Sequence, residues 1–173
     1  MIKKDISENL AKIVYLGIGS NLGNKKSNIE KTKIKLQEKK IKILKCSNNY
    51  ESESWPNPHN PKFINIVIKI KTILTPLKLL KICNQIEIEL GRKRSKKNAP
   101  RTCDIDIIDY DQKVLKIESK KLILPHPRIN TRNFVLFPLY EIDKNWKHPK
   151  YKINISKLIS LLPIRDLRSI KQI

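Results

Sequence analysis

The sequence is poor in cysteine, in acidic residues and in long apolar runs, and each shortage narrows the class of protein. Its three cysteines, Cys46, Cys83 and Cys103, are far apart and form no CxxC pair, so neither a disulfide framework nor a zinc knuckle is indicated. No run approaches the ~20 apolar residues of a membrane span, and the start MIKKDISENLAK lacks the apolar core of a signal peptide. We therefore expect a folded protein in the reducing cytoplasm, without a membrane partner.

The shortage of acids leaves a strongly basic chain. Lysine and arginine number 37 against 16 aspartates and glutamates, which gives a formal net charge of +21. A basic surface attracts nucleic acid. Here the excess is mostly lysine, runs from end to end and accompanies many Ile and Asn residues, whose codons are also A/T-rich. We interpret it as genomic bias and expect no nucleic-acid partner.

The pattern of apolar residues predicts one α+β domain over residues 12–173, preceded by a polar extension over residues 1–11. Strands are predicted at residues 12–18, 41–54, 63–70 and 103–110. One helix is expected to start at Ser20, Asn21 or Asn24 and to end near residue 39, and a second to run from Pro76 to Gly91. The order β-α-β-β-α-β is that of a ferredoxin-like sandwich, here with C-terminal additions.

Glycine is also scarce, with four residues, and three of them fall in GIGSNLG. This segment is not the dinucleotide-binding fingerprint, because its third glycine comes one position late, and it is not a Walker A loop, because GK[ST] is missing. We interpret it as a strand-to-helix turn.

Two acids stand out in the apolar segment PRTCDIDII. In a strand, Asp104 and Asp106 share a face with Ile108, and their Cα atoms lie ~6.6 Å apart. Such a pair can hold Mg²⁺, which accepts one or two carboxylates and completes its shell with water and phosphate oxygens. The alternative is an edge strand whose solvent face is acidic.

The surrounding cations favour the metal interpretation. Five of the seven arginines lie in the two segments that flank this strand, and the arginine fork suits phosphate oxygens: Arg92, Arg94, Arg101, Arg128 and Arg132. Metal ligands beside an arginine cluster indicate a polyphosphate–Mg²⁺ site. His126, between two prolines, has a nearly fixed backbone and can donate to a phosphate; alternatively, it only closes a rigid turn.

Together these segments resemble the 6-hydroxymethyl-7,8-dihydropterin pyrophosphokinase family of folate biosynthesis. The resemblance covers residues 13–142 in the order YLGIGSNLGN, YESESW, PKFINIVIKI, IEIELGRKR, APRTCDIDII and LILPHPRINTRNFVLFPLYEI. It implies a monomeric enzyme with a ferredoxin-like fold. The implied reaction moves the β,γ-pyrophosphoryl unit of ATP to the hydroxymethyl oxygen of the reduced pterin and leaves AMP.

The resemblance also implies roles for individual residues. Two Mg²⁺ ions are expected on Asp104 and Asp106, which with Arg92 and Arg101 form the catalytic group. Contacts with ATP are expected from Glu87, Arg92, Arg94, Arg101, Lys121, His126 and Arg132. Contacts with the pterin are expected from Ser52, Glu53, Trp55, Phe63, Asn65 and Phe134, with the two phenylalanines on opposite faces of the ring.

Two positions depart from the family pattern. Asn98 stands where some members place a lid tryptophan, so closure over the pterin is expected to differ. Pro127 stands where some members carry an aromatic residue, so the stacking contact that such a residue makes with the nucleotide is not expected here. A retained fold with weak activity is one alternative, which the intact site residues disfavour. An RNA-binding module with a related sandwich is another, but the predicted strands FINIVIKI and TCDIDIID lack the clustered aromatics of such modules.

Overall fold

The computed structural model describes residues 10–54, 57–92, 98–120 and 122–173. The elements, in chain order, are β1 (Lys12–Ser20), α1 (Lys25–Glu38), β2 (Lys42–Cys46), β3 (Tyr50–Ser52), β4 (Phe63–Thr72), α2 (Pro76–Glu89), β5 (Asp104–Tyr110), β6 (Leu115–Ile117), β7 (Leu122–Leu124), α3 (Asn133–Ile142), α4 (Ile155–Ser160), α5 (Ile164–Arg168) and β8 (Lys171–Gln172). In the described ranges no helix is long and apolar enough to cross a membrane.

The main sheet has the topology that the sequence predicts. β1 lies between β5 and β4, β2 and β3 both pair with β4, and β8 pairs with β3; every pairing is antiparallel. β6 and β7 form a separate two-stranded sheet. The order β5-β1-β4-β2 is that of a ferredoxin-like sandwich, so the predicted α+β class is confirmed.

Both predicted helices have the expected ends. The Asn24 side chain accepts a hydrogen bond from the Ser27 N–H at 3.1 Å and caps α1. Thr75 caps α2, Pro76 occupies its first turn, and Gly91, with a φ of 82°, follows its end. The candidates Ser20 and Asn21 are not caps, because β1 continues two residues beyond its predicted end at residue 18.

The prediction of one strand over residues 41–54 is wrong, because the chain leaves the ladder between β2 and β3. The Ser47 side chain accepts a hydrogen bond from the Val67 N–H at 3.0 Å and donates one to the Asn48 carbonyl at 2.9 Å. Asn48 is in turn held by the Glu141 carboxylate of α3. Side-chain hydrogen bonds of this kind compete with the ladder and divide the segment into two short strands.

The two faces of the sheet are covered differently. One face packs against α1 and α2 in a continuous apolar core that includes Leu16, Ile68 and Ile86. The other face packs against α3 and α4 only over part of its area, around Val67 and Ile108. The remainder of this second face forms the floor of a large cavity.

Candidate active site

The cavity has a volume of about 890 Å³ and lies over the ends of the three central strands. Its floor follows the register of the sheet: Asp104 pairs with Gly19, which pairs with Asn65, while Asp106 pairs with Gly17. Since neighbouring strands are about 4.8 Å apart, Asp104 and Asn65 are separated by roughly 10 Å across bare glycine backbone. The site therefore has a carboxylate side, an open floor and an amide side.

Both aspartates project into the cavity and are paired with arginines. Asp104 accepts hydrogen bonds from Arg92 at 2.7 Å and from Arg101 at 3.3 Å. Asp106 accepts one from Arg132 at 2.6 Å. Arg92 and Arg101 come from the segment before β5 and Arg132 from the segment after it, so the fold brings together the two arginine-rich regions that flank β5 in the sequence.

The two carboxylates differ in how easily they ionise. Burial raises the pKa of Asp104, and the neighbouring charge of Asp106 adds to the rise, against the opposing effect of Arg92. Burial also opposes the charge of Asp106, but His126, when protonated, and the guanidinium groups of Arg132 and Arg128 outweigh it and lower the pKa of Asp106. Asp106 is therefore the more readily ionised member of the pair.

Glu87 lies behind the cavity and holds Arg92 in place. Its carboxylate is 2.5 Å from the Arg92 guanidinium and accepts the Ile105 N–H at 2.7 Å. Burial raises the pKa of Glu87 to about 7, while the Ile105 N–H and the Arg92 charge act in the opposite direction. Glu87 thus contacts the site through Arg92 and β5.

His126 approaches Asp106 from the segment after β7. Its backbone N–H donates to the Ile108 carbonyl at 2.9 Å, and its Nδ1 accepts from the Arg128 N–H at 3.1 Å. Burial lowers the pKa of His126 to about 4, so the ring is neutral near pH 7. With Nδ1 accepting, the proton resides on Nε2, which lies 3.7 Å from Asp106 Oδ2.

The amide side of the cavity is built on β4 and β3. Phe63 and Asn65 project from the same face of β4, and Asn65 Nδ2 donates to the Ser52 hydroxyl at 2.9 Å. Gly19 leaves room beside them, because a Cβ there would be 3.1 Å from Asn65 Oδ1, which is a tight contact, and 3.4 Å from the Phe63 ring. This side combines an aromatic surface with a buried, oriented amide.

Phe63 and Phe134 line the same cavity although they are 71 positions apart in the chain. The Arg101 guanidinium carbon is 5.8 Å from the centroid of Phe63, and that of Arg132 is 5.4 Å from the centroid of Phe134. Two of the three arginines that bind the aspartates therefore also lie near an aromatic ring. The carboxylate and aromatic parts of the site are contiguous.

The remaining predicted residues divide into two groups. Glu53 lines the cavity at its exposed rim, where it forms an ion pair with Lys62 at 3.0 Å. Trp55, Arg94 and Lys121 lie outside the described residues. Asn98, which is described, also lines the cavity.

Asn21, which the sequence suggests only as a possible helix cap, has a different role in the structure. Its side chain accepts the Arg101 N–H at 2.7 Å and donates to Ser54 and to the Pro61 carbonyl. Asn21 therefore joins the end of β1 to the segment that carries Arg101 and to the loop before β4. No local pattern predicts this role, because its partners are distant in the sequence.

The donor set determines which metal the site suits. In the described ranges no group of three or more His, Cys, Asp or Glu side chains is placed to hold a metal ion. Two carboxylates on one strand face, beside cations that attract phosphate, instead match Mg²⁺ shared between protein and a phosphorylated ligand. The carboxylates therefore fit that ion, whose remaining ligands would come from the substrate and water.

Comparison with protein families gives one match over most of the chain. A family model described as 7,8-dihydro-6-hydroxymethylpterin-pyrophosphokinase (HPPK) matches residues 15–144. The 2-amino-4-hydroxy-6-hydroxymethyldihydropteridine pyrophosphokinase of Aquifex aeolicus is 43% identical over 139 residues, which are 80% of this chain and 85% of that protein. The protein of the same name from Bacillus subtilis is 39% identical over 75% of this chain and 77% of its own length.

Longer relatives contain the same region as a part. The folic acid synthesis protein fol1 of Pneumocystis carinii is 39% identical over 91% of this chain, which spans 21% of that protein. Among solved structures, a Plasmodium falciparum HPPK-DHPS superposes with a TM-score of 0.72 and 17% identity, covering 99% of this chain and 48% of that one. At this identity the structural likeness supports the fold alone.

Proposed function

The chain belongs to the 7,8-dihydro-6-hydroxymethylpterin-pyrophosphokinase family, whose reaction is pyrophosphoryl transfer in folate biosynthesis, and we propose that ATP is its donor and 6-hydroxymethyl-7,8-dihydropterin its acceptor. The products are then AMP and the pterin diphosphate. One observation carries the assignment of the site: a single cavity brings Asp104, Asp106 and the arginines that bind them together with two phenylalanines.

In this proposal the carboxylate side binds the triphosphate. Asp104 and Asp106 hold Mg²⁺, two ions being expected, and the metal neutralises phosphate charge and lowers the pKa of the attacking hydroxyl when bound. Arg92, Arg101 and Arg132 exchange their carboxylate partners for phosphate oxygens. Pyrophosphoryl transfer depends on alignment and charge neutralisation more than on covalent help, so a cluster of fixed cations is suited to it.

Glu87 and His126 support the same end of the site. Glu87 keeps Arg92 oriented through their 2.5 Å contact. The neutral ring of His126 carries a proton on Nε2 and can donate it in a hydrogen bond to a phosphate oxygen beside Asp106. Arg94 and Lys121 remain predicted ATP contacts.

The amide side binds the pterin. Phe63 and Phe134 supply apolar faces for stacking, and the Asn65 amide can both donate and accept at the edge of the ring. Ser52 fixes the Asn65 amide through their 2.9 Å hydrogen bond. Glu53 and Trp55 remain predicted contacts of the adjoining loop. Action as a monomer in the cytoplasm also remains a prediction.

Measurement of AMP formation tests this function. The purified protein is incubated with ATP and Mg²⁺, with and without 6-hydroxymethyl-7,8-dihydropterin. We expect AMP only when the pterin is present. ATP consumption that does not depend on the pterin would contradict the proposed acceptor.

A further inference from the structure

The C-terminal residues 164–173 lie beyond the residues 15–144 that the family model matches. Three of them nevertheless line the same cavity as the aspartates and phenylalanines: Arg165, Asp166 and Ser169. The cavity wall thus includes α5, an element for which the sequence motifs assign no role.

A buried side chain ties α5 to the aromatic part of the site. Asn133 is 8% exposed, and its Nδ2 donates to the Asp166 carbonyl at 2.6 Å and to the Ser169 hydroxyl at 3.0 Å. Its Oδ1 accepts the Phe134 N–H at 2.7 Å. One amide therefore fixes α5 against the residue that we propose stacks on the pterin.

The end of the chain joins the same segment to the opposite wall. β8 pairs with β3 through Tyr50 with Gln172 and Glu51 with Lys171, and the Ile173 N–H donates to the Asn49 carbonyl at 2.9 Å. β3 also carries Ser52, the partner of the pterin-reading amide. Residues 164–173 consequently bridge the Phe134 wall and the Ser52 wall.

Arg165 is available for a ligand. Whereas Arg92, Arg101 and Arg132 bind the aspartates, Arg165 forms no ion pair within the part of the chain that the structure describes, and it is exposed. A guanidinium group is planar and carries five N–H donors, so it can stack on a heteroaromatic ring or donate to its carbonyl oxygen and ring nitrogens.

We propose that α5 forms the outer edge of the pterin-binding half, with Arg165 as a further substrate-contacting residue and Asn133 as the residue that positions it. The inference rests on the proposed function, because it assumes that the ring on Phe134 is a pterin. It extends the site to a segment outside the family match.

A charge-matched pair of variants on α5 tests the contact. Arg165→Ala and Arg168→Ala each remove one exposed arginine from the same short helix, but only Arg165 lines the cavity. Binding of 6-hydroxymethylpterin is measured by titration calorimetry in the presence of Mg²⁺ and a nonhydrolysable ATP analogue. We expect Arg165→Ala to weaken pterin binding about threefold to tenfold, as for the loss of a charged hydrogen bond at a partly exposed site, and Arg168→Ala to leave it unchanged.

Asn133→Asp tests the positioning role. It keeps the acceptor for the Phe134 N–H but loses both donations to α5. We expect weaker pterin binding with the affinity for the ATP analogue unchanged, whereas a general loss of structure would weaken both.

The outcomes separate this inference from the proposed function. Equal pterin affinities of Arg165→Ala and Arg168→Ala, in an enzyme that forms AMP, would overturn the α5 contact alone. A wild type that binds pterin with the expected difference between the variants but forms no AMP would support the contact and contradict the function. A wild type that does not bind pterin would overturn both.

Discussion

At the scale of single residues, the chain pairs the two aspartates on the cavity face of β5 with its own arginines. Asp104 is paired with Arg92 and Arg101, and Asp106 with Arg132. The same side chains are proposed to separate on substrate binding, the carboxylates turning to the metal and the arginines to the phosphates. The proposed catalytic groups are therefore held in place by one another.

Substitution of either aspartate tests this arrangement. We expect Asp104→Asn and Asp106→Asn to reduce AMP formation by about 100-fold or more, because each removes a carboxylate charge that holds the metal. Asp111→Asn is the matched control, since Asp111 lies in the turn after β5, pairs with Lys12 and does not line the cavity. Initial rates and circular dichroism are measured for all three; wild-type rates in either site variant would disprove the metal assignment.

Sequence reasoning identified the groups with a local signature better than those without one. Period-two spacing in β5 placed Asp104 and Asp106 on one face, and the structure confirms that placement. The contacts of Asn21, and those of Asn133 with α5, could not be found in this way, because their partners are 33 or more positions away. A hydrogen bond between residues that are distant in the sequence leaves no local pattern.

At the scale of elements, β1 contributes to the cavity through two glycines, which have no side chain to fill it. The sequence predicts Gly17 inside the first strand and Gly19 in the turn that follows, yet both glycines lie within the central strand and line the floor of the cavity. Glycine normally weakens a strand, and its presence there marks a place where a ligand or another side chain approaches closely. The glycines of GIG could have indicated this close approach, but closely spaced glycines are equally typical of turns.

The two glycines give a graded test of the floor. Gly19→Ala would place a Cβ 3.1 Å from Asn65 Oδ1 and 3.4 Å from the Phe63 ring, so we expect the KM for pterin to rise about tenfold as the amide is displaced. Gly17→Ala would instead place a Cβ 3.2 Å from the buried Ile108 side chain and more than 4 Å from Asn65 and Phe63, so it should leave the pterin KM near its wild-type value. Equal pterin KM values in the two variants would show that the Gly19 floor does not limit binding.

At the scale of the whole molecule, the ferredoxin-like core was predictable because its helices and strands carry strong local signals. Proline and glycine mark the ends of α2, and alternating apolar residues mark β4. The positions of α5 and β8 were not predictable, since both elements are short and both are placed by contacts with residues that are distant in the sequence. Their five and two residues have no periodicity to read.

The charge balance of the site predicts how the whole protein responds to its ligands. To bind alone, Mg²⁺ must displace the arginines from the carboxylates, and the net charge of +21 disfavours the approach of a cation. ATP brings negative charge that attracts both the arginines and the metal ion. We expect Mg²⁺ alone to shift Tm by less than about 1 °C relative to NaCl of equal ionic strength. Mg²⁺ with ATP near 100 times its Kd should raise Tm by about 5–10 °C. An equal rise with Mg²⁺ alone would contradict the proposed exchange of partners.

The central claim is that a pyrophosphoryl group moves as one unit from ATP to the pterin, and the identity of the products tests it most directly. Phosphorus NMR and mass spectrometry are applied to a reaction of ATP, Mg²⁺ and 6-hydroxymethyl-7,8-dihydropterin run to completion. We predict AMP and the pterin diphosphate in equal amounts. The formation of ADP with a pterin monophosphate, or of AMP with free pyrophosphate and unchanged pterin, would contradict the account.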